Sequence, residues 1–375
     1  MNIGFDAKRI FYNKTGLGNY ARSLVTGLSQ IAPQHQYHLF TPGINIYSDF
    51  LEKEANVFRC FPTGFVHKKF PSIWRSHGII QDIKKANIQI YHGLSNELPN
   101  ALARTDIKRV VSIHDLIFLK FPNLYPWIDR KIYARKFELA IRQADLVLAT
   151  SENTKHDILS YFPCDPQKIE VLYQSCDAQF SQELSLDQRA VTKRKYGLSR
   201  EYVLSVGTLE QRKNHLNIFK AFVKSDLHDI DLICIGKKAD AYPALSAFVK
   251  NNALEDRVKF LHDVPFGDFP ALYKSALGMV YLSNYEGFGI PIVEALQSDI
   301  PVLTGTISSL PEVAGKAAIY AHPNNIDEIS MGLNALVYNQ SIRQELHQLA
   351  QFELPKFSIE SISAQLLRAY DRLLS

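Results

Sequence analysis

Short apolar runs separated by helix-patterned stretches recur along the whole chain. In the first half, Asn2-Ile3-Gly4-Phe5, Gln36–Thr41, Ile88–Tyr91, Arg109–Ile113 and Leu146–Ala149 read as strands. In the second half, Tyr202–Gly207, Leu232–Gly236, Val258–His262 and Met279–Leu282 read the same way. Helical patterns such as Gly16–Ser29 and Leu216–Val223 alternate with them, which predicts βαβ units and parallel sheets. Between the halves, Asp177–Lys195 is polar and charged without strand character and reads as a linker. The last segment, Phe357–Leu374, sets Ile359, Ile362, Leu366, Leu367, Tyr370 and Leu373 at helical spacing, so it is an amphipathic helix. A chain of 375 residues exceeds the length over which one core usually grows. Two domains are therefore expected, 1–185 and 186–355, with 356–375 as the terminal helix.

Composition narrows the class without changing this picture. A chain with 46% hydrophobic and 21% charged residues is an ordinary globular protein. No apolar stretch approaches the ~20 residues that span a bilayer. Met1-Asn2-Ile3-Gly4-Phe5-Asp6 lacks the pattern of a signal peptide. Cys60, Cys164, Cys176 and Cys234 have no zinc-type spacing and suggest reduced thiols, so the cytoplasm is the expected compartment. Residues 1–185 carry 22 Lys and Arg against 17 Asp and Glu, whereas the remainder is nearly neutral. Within that basic half, Leu119–Asp145 mixes Tyr125, Trp127, Tyr133 and Phe137 with Arg130, Lys131, Arg135, Lys136 and Arg142. His67-Lys68-Lys69-Phe70 and Trp74-Arg75 are similar in character. Such segments suit either an ordinary solvated face or peripheral contact with an anionic membrane; no nucleic-acid partner is expected.

Candidate chemistry concentrates where predicted strands end. After Met279–Leu282 comes Ser283-Asn284-Tyr285-Glu286-Gly287-Phe288-Gly289-Ile290-Pro291, with Pro291 opening a helix. Backbone N–H groups and a positive helix end then point to one place, which suits a phosphate or a sugar hydroxyl. Glu286 in the loop and Glu294 in the first helical turn add two acceptors, the set that a nucleotide-sugar would use. After Tyr202–Gly207 stand Thr208, Arg212 and Lys213, a cation pair suited to a diphosphate. His114 closes the strand Arg109–Ile113, at the end where ligands of open α/β sheets bind. Gly16-Leu17-Gly18-Asn19-Tyr20-Ala21 is formally a dinucleotide fingerprint. It follows its strand by ten residues and has no acid at the right distance, so that reading fails on context. Asp229-Ile230-Asp231 resembles a metal-binding D-x-D but precedes its strand, and no metal or other cofactor is expected.

Four of these stretches, in this order, resemble the retaining glycosyltransferases of family 4: Thr15–Tyr20, His114-Asp115, Arg212-Lys213 and Glu286 through Glu294. Ser308–Gly315 also looks like the family. The resemblance implies the GT-B fold: two Rossmann-like domains with parallel sheets facing across a cleft, and a C-terminal helix returning to the N-terminal, acceptor-binding domain. It also implies roles. Glu286 and His114 would lie by the donor sugar, Lys213 and Arg212 on the diphosphate, and Glu294 on the ribose. Gly16, Gly18, Thr208, Gly287, Phe288, Gly289 and Ile290 would shape the donor site. The chain departs from many members in having Thr208 where they carry Arg. Gly4–Arg9 and Val206–Glu210 look most like bacterial mannosyltransferases of surface polysaccharide assembly, implying GDP-mannose as donor and a glycan or lipid-linked acceptor. The alternatives are a UDP-sugar glucosyl- or galactosyltransferase, or a catalytically silent partner subunit of the same fold.

Overall fold

The computed structural model describes residues 1–375, which divide into two compact units: Met1–Ser175 with Lys356–Ser375, and Cys176–Pro355. The first holds seven parallel strands: β1 (Asn2–Asp6), β2 (Gln36–Phe40), β3 (Val57–Cys60), β4 (Ile90–Gly93), β5 (Lys108–Ile113), β6 (Leu146–Ala149) and β7 (Ile169–Val171). They run in the order β3-β2-β1-β4-β5-β6-β7. Helices cover both faces, which is why the central strands read as apolar runs rather than alternating ones. In β1, Phe5 sits opposite Leu39 on one side and His92 on the other.

The stretch between β1 and Gly16 contains a short helix, Lys8–Tyr12, that buries Ile10 and Phe11 and is not evident from the sequence pattern. Five residues are too few for a sequence period to register. The helix Gly16–Ile31 follows and buries Leu24, Val25 and Leu28. The terminal helix Ile359–Leu374 packs against it, so the end of the chain belongs to the first unit, as the resemblance implied. Gly27 sits at their contact: a Cβ there would lie 2.4 Å from Ile359 Cγ1 and 2.5 Å from Ser363 Oγ.

The second unit has six parallel strands: β8 (Tyr202–Val206), β9 (Asp231–Ile235), β10 (Val258–Leu261), β11 (Gly278–Tyr281), β12 (Val302–Gly305) and β13 (Ala318–Ala321). Their order is β10-β9-β8-β11-β12-β13. Leu333 and Leu336 from the helix Ile326–Tyr338 pack with Val280 and Leu303 into the core of this unit. The expected linker 177–195 folds within this unit instead. Phe180 is fully buried against Phe266 and Tyr273. Ser185 and Gln188 form a reciprocal capping box that starts the helix Leu186–Lys195. Capping chemistry and one aromatic anchor order a segment whose composition is that of a linker. No helix of the protein is long and apolar enough to cross a membrane.

The terminal-helix contact is directly testable. Gly27→Ala forces a methyl into backbone-close packing, and overpacking of this kind typically costs about 1–3 kcal/mol. The urea midpoint of the variant should fall accordingly; an unchanged midpoint would show that the helix pair is not tightly packed.

Candidate active site

In both sheets the strand order reverses, between β1 and β4 and between β8 and β11. Ligands of such sheets bind beyond the strands' carboxyl ends at this point. In the second unit the rule selects the loops after β8 and β11. They are tied together by the Asn284 N–H, which donates to the Arg212 carbonyl at 2.8 Å. Gly207 has φ +148°, and a Cβ there would press at 3.3 Å on the aliphatic stem of Lys213. Glycine lets that stem lie close over the end of β8.

The loops bring four side chains into one buried cluster. Lys213 Nζ lies 2.6 Å from Glu286 Oε1, and Arg212 Nη1 lies 2.9 Å from Glu286 Oε2. The Tyr281 hydroxyl donates to Glu286 Oε1 at 2.9 Å and accepts from Lys213 Nζ at 2.9 Å. Arg212 also pairs with Glu210 and donates to the Tyr285 carbonyl. Burial works to raise the Glu286 carboxyl, but Lys213 and Arg212 together hold it down at about 2. Burial outweighs Glu286 at Lys213 and lowers its ammonium below the usual lysine value. For Arg212, by contrast, the two glutamates overcome burial and raise it.

The Glu286 loop is fixed from below. Its N–H donates to Ser308 Oγ at 2.9 Å, and its carbonyl accepts from Ser308 and Ser309 hydroxyls at 2.8 and 3.0 Å. Gly287 and Phe288 are buried, and Ser309 Oγ donates to the Phe288 carbonyl at 2.6 Å. Gly289, at φ +119°, precedes the helix Ile290–Gln297. Only glycine adopts that angle without strain. Glu294 is the fifth helical residue, one residue further in than the sequence suggested, because the helix already begins at Ile290. It accepts from the Tyr273 hydroxyl at 2.7 Å, and burial raises it to about 7. Thr208 is half-buried, and its carbonyl accepts the Glu210 N–H at 2.8 Å. Beyond β9 and β10, His262 Nδ1 donates to the Gly236 carbonyl at 2.6 Å. Asp231 opens β9 at the opposite end of the sheet, 3.6 Å from Lys259 and 3.7 Å from Arg200.

His114, Gly16 and Gly18 belong to the first unit. His114 is buried with both ring nitrogens engaged: Nε2 donates to the Leu94 carbonyl at 2.8 Å, and Nδ1 accepts from the Gln174 amide at 3.0 Å. Burial lowers it to about 4, so the ring is neutral. The edge of Tyr20 meets it at 4.7 Å between centroids. The Tyr20 hydroxyl pairs with Ser112 at 2.8 Å, Ser112 with His92 at 2.8 Å, and His92 with Tyr370 of the terminal helix at 2.6 Å. A Cβ on Gly18 would meet the Asn13 carbonyl at 2.0 Å, whereas one on Gly16 would meet nothing within 4 Å. Gly18 therefore serves packing, and Gly16 leaves the helix start open.

Sequence reasoning missed Tyr281 and Tyr273, the two hydroxyls on the carboxylates. Tyr281 ends an apolar strand and Tyr273 lies in the short helix Phe269–Lys274, so both read as core. The signal available was a tyrosine at the carboxyl end of a central strand, where its polar tip needs a partner.

The pH dependence of stability follows from Glu294. Its folded-state value, raised from 4.5 to about 7 by burial, means that the fold holds a proton which the unfolded chain has released. This contribution is fully present below about 4.5 and is lost as pH rises through about 7. Relative to wild type, Glu294→Gln should therefore gain melting temperature steadily between pH 5 and pH 8. A difference independent of pH would show that Glu294 titrates normally.

Known proteins share sequence and fold with this chain. The chain is 28% identical to the O-antigen chain mannosyltransferase B of Escherichia coli, with both chains covered in full. It is 26% identical to the O-antigen chain mannosyltransferase RfbU of Salmonella typhimurium, over 84% of this chain and 86% of that one. The crystal structure of Anabaena HepE in complex with UDP-glucose superposes with a TM-score of 0.77 at 17% identity, covering 99% of this chain and 100% of that one. The fold is thus GT-B. Residues 14–180 match the model of Glycosyltransferase Family 4 and residues 188–351 that of Glycosyl transferases group 1. The chain belongs to this family of glycosyltransferases.

Proposed function

We propose that the protein transfers mannose from GDP-mannose to a hydroxyl of a glycan or lipid-linked acceptor in surface polysaccharide assembly. In this reading it is a cytoplasmic enzyme that retains the anomeric configuration and uses no metal. The observation that carries the transfer reading is the buried Glu286 paired with Lys213 and Arg212 at the carboxyl end of the second sheet. The choice of mannose is supported by the two O-antigen mannosyltransferases to which the chain is similar, and that of GDP by the resemblance of Gly4–Arg9 and Val206–Glu210 to bacterial mannosyltransferases.

The proposed mechanism is an exchange of partners. The diphosphate takes Glu286's place on Lys213 Nζ, and the hydroxyls of the donor sugar take Lys213's place on Glu286. Because the Glu286 carboxyl is held at about 2, it stays ionised and serves as a fixed acceptor beside the reacting carbon, not as a proton donor. His114, neutral and held by Leu94 and Gln174, is a positioning group rather than a base. The acceptor hydroxyl attacks from the face that the leaving group departs. Its oxygen bonds to the anomeric carbon as the bond to the diphosphate oxygen breaks, and its proton passes to that diphosphate. Lys213 and Arg212 supply the charge that stabilises the leaving group. Ionised Glu294 would accept from the ribose hydroxyls.

Two experiments test this. Lys213→Ala should cut turnover by about 10²–10³, the usual loss for one positioned electrostatic group, with the melting temperature preserved within a few degrees. Turnover within twofold of wild type would sink the assignment. In ligand-dependent melting, GDP and GDP-mannose should stabilise more than UDP and UDP-glucose; a ligand at a hundred times its dissociation constant adds about 2.7 kcal/mol. Glu286→Gln should keep or tighten GDP binding, since Lys213 no longer has to leave a carboxylate, yet lose the extra response to GDP-mannose. A larger shift with UDP-glucose would withdraw mannose while keeping transfer. No shift with any nucleotide-sugar would favour the silent subunit.

A further inference from the structure

Lys213 has two polar partners, and the exchange proposed above removes one of them. Its Nζ donates to Glu286 Oε1 at 2.6 Å and to the Tyr281 hydroxyl at 2.9 Å. It also stands 5.1 Å from the centre of the Tyr281 ring. When the hydroxyls of a donor sugar occupy Glu286, Tyr281 is the protein group left to hold the ammonium. A lysine head is a compact charge on a flexible four-carbon stem. Packing against Gly207 steadies the stem, but the head needs a partner of its own.

Chemistry fixes the sense of these hydrogen bonds. An ammonium only donates, and an ionised carboxylate only accepts. Tyr281 therefore gives its single proton to Glu286 Oε1, at 2.9 Å, and turns its lone pairs to Lys213. Donation to a carboxylate polarises the hydroxyl and makes it a better acceptor. The hydroxyl is also neutral. It holds the cation without cancelling the charge that a diphosphate would meet, as another carboxylate in its place would.

The ring is placed as firmly as the hydroxyl. Tyr281 ends β11 and is buried, and its carbonyl accepts from Thr304 Oγ1 of the neighbouring β12 at 2.8 Å. On another side, a Cβ on Gly289 would stand 3.9 Å from Tyr281 Cε1. The side chain thus reaches from beside the helix start at Gly289 to the Lys213 ammonium. A cation and a positive helix end must face one diphosphate together, and Tyr281 sets the distance between them.

We infer that Tyr281 is a positioning residue, which keeps Lys213 Nζ aimed at the diphosphate after Glu286 has turned to the donor sugar. The inference rests on the transfer reading and adds to it a residue that acts only through Lys213.

Hydrolysis of GDP-mannose and of UDP-glucose by the full chain, followed in parallel, tests it. Tyr281→Phe keeps the ring and removes the hydroxyl. It should lower kcat by about 10- to 100-fold, as small misplacements of a catalytic group do, with KM and the nucleotide-induced melting shift little changed. Added to Lys213→Ala, it should bring no further loss, because both act through one charge. Independent damage to the fold would instead multiply. The alkaline limb of the kcat profile should move to lower pH, since an ammonium that loses an acceptor gives up its proton more readily. The other charged or titratable groups around Lys213 are Glu286, Arg212, Glu210 and His215. Glu286 is held at about 2, burial lowers His215 to about 3, and Arg212 is raised. Burial pushes the Tyr281 hydroxyl well above its usual range, so the limb belongs to Lys213. A measurement free of substitutions is a GDP complex, in which Lys213 Nζ should bond a phosphate oxygen and Tyr281 at once.

Wild-type turnover in Tyr281→Phe, multiplied losses in the double variant, or an Nζ out of reach of Tyr281 in the complex would overturn the proposal. Each of these would leave the transferase reading intact. No hydrolysis and no nucleotide shift in the wild type would remove both.

Discussion

A carboxylate in the interior is costly unless its charge is met, and Glu286 is met twice, by Lys213 and by Arg212. Much of the second unit's local construction serves that meeting. Gly207 clears space for the lysine stem, the Asn284–Arg212 backbone bond ties the two loops, and Ser308 and Ser309 hold the carboxylate's own backbone. Pairs of this kind contribute little net stability compared with well-packed apolar groups. Their use lies in presenting charges already fixed and largely dry, which a reaction that develops charge can draw on without reorganising solvent. Tyr281, bonded to both Lys213 and Glu286, makes the pair a network, so displacing one partner alters the others.

The two glutamates beside the helix Ile290–Gln297 show how environment separates identical side chains. Glu286 has two cations and is held at about 2; Glu294 has one tyrosine hydroxyl and burial raises it to about 7. The first is a permanent anion. The second gains its charge near neutrality, when a ligand that donates hydrogen bonds would favour the ionised form. In the first unit a different device operates: neutral hydrogen bonds run from Tyr370 through His92 and Ser112 to Tyr20, whose ring meets His114. The terminal helix thus supports the wall on which His114 lies.

Much of this was legible in the sequence because it depends on local signals. Strand positions followed from apolar runs, the helix after Gly289 from Pro291, and the convergence of Arg212, Lys213 and Glu286 from their places after predicted strands. What stayed hidden depends on partners distant in sequence. Periodicity could not show that Trp74 turns inward to Asp82 while Phe65 turns outward. Nor could it show that Tyr281 spends its hydroxyl on Glu286, or that His114 has no ring nitrogen to spare. The segment 177–195 looked like a linker because its order comes from one buried phenylalanine and a capping box, both small signals against a polar background.

The central claim is that the Lys213–Glu286 pair holds the place of a diphosphate and a sugar. It is tested most directly by a crystal structure of the protein with bound GDP, or with UDP if that nucleotide binds better. The account predicts that Lys213 Nζ leaves Glu286 Oε1, from which it now stands 2.6 Å, and contacts a phosphate oxygen, while the ribose hydroxyls meet Glu294. A complex in which Lys213 remains on Glu286 and the phosphates lie away from both would contradict it.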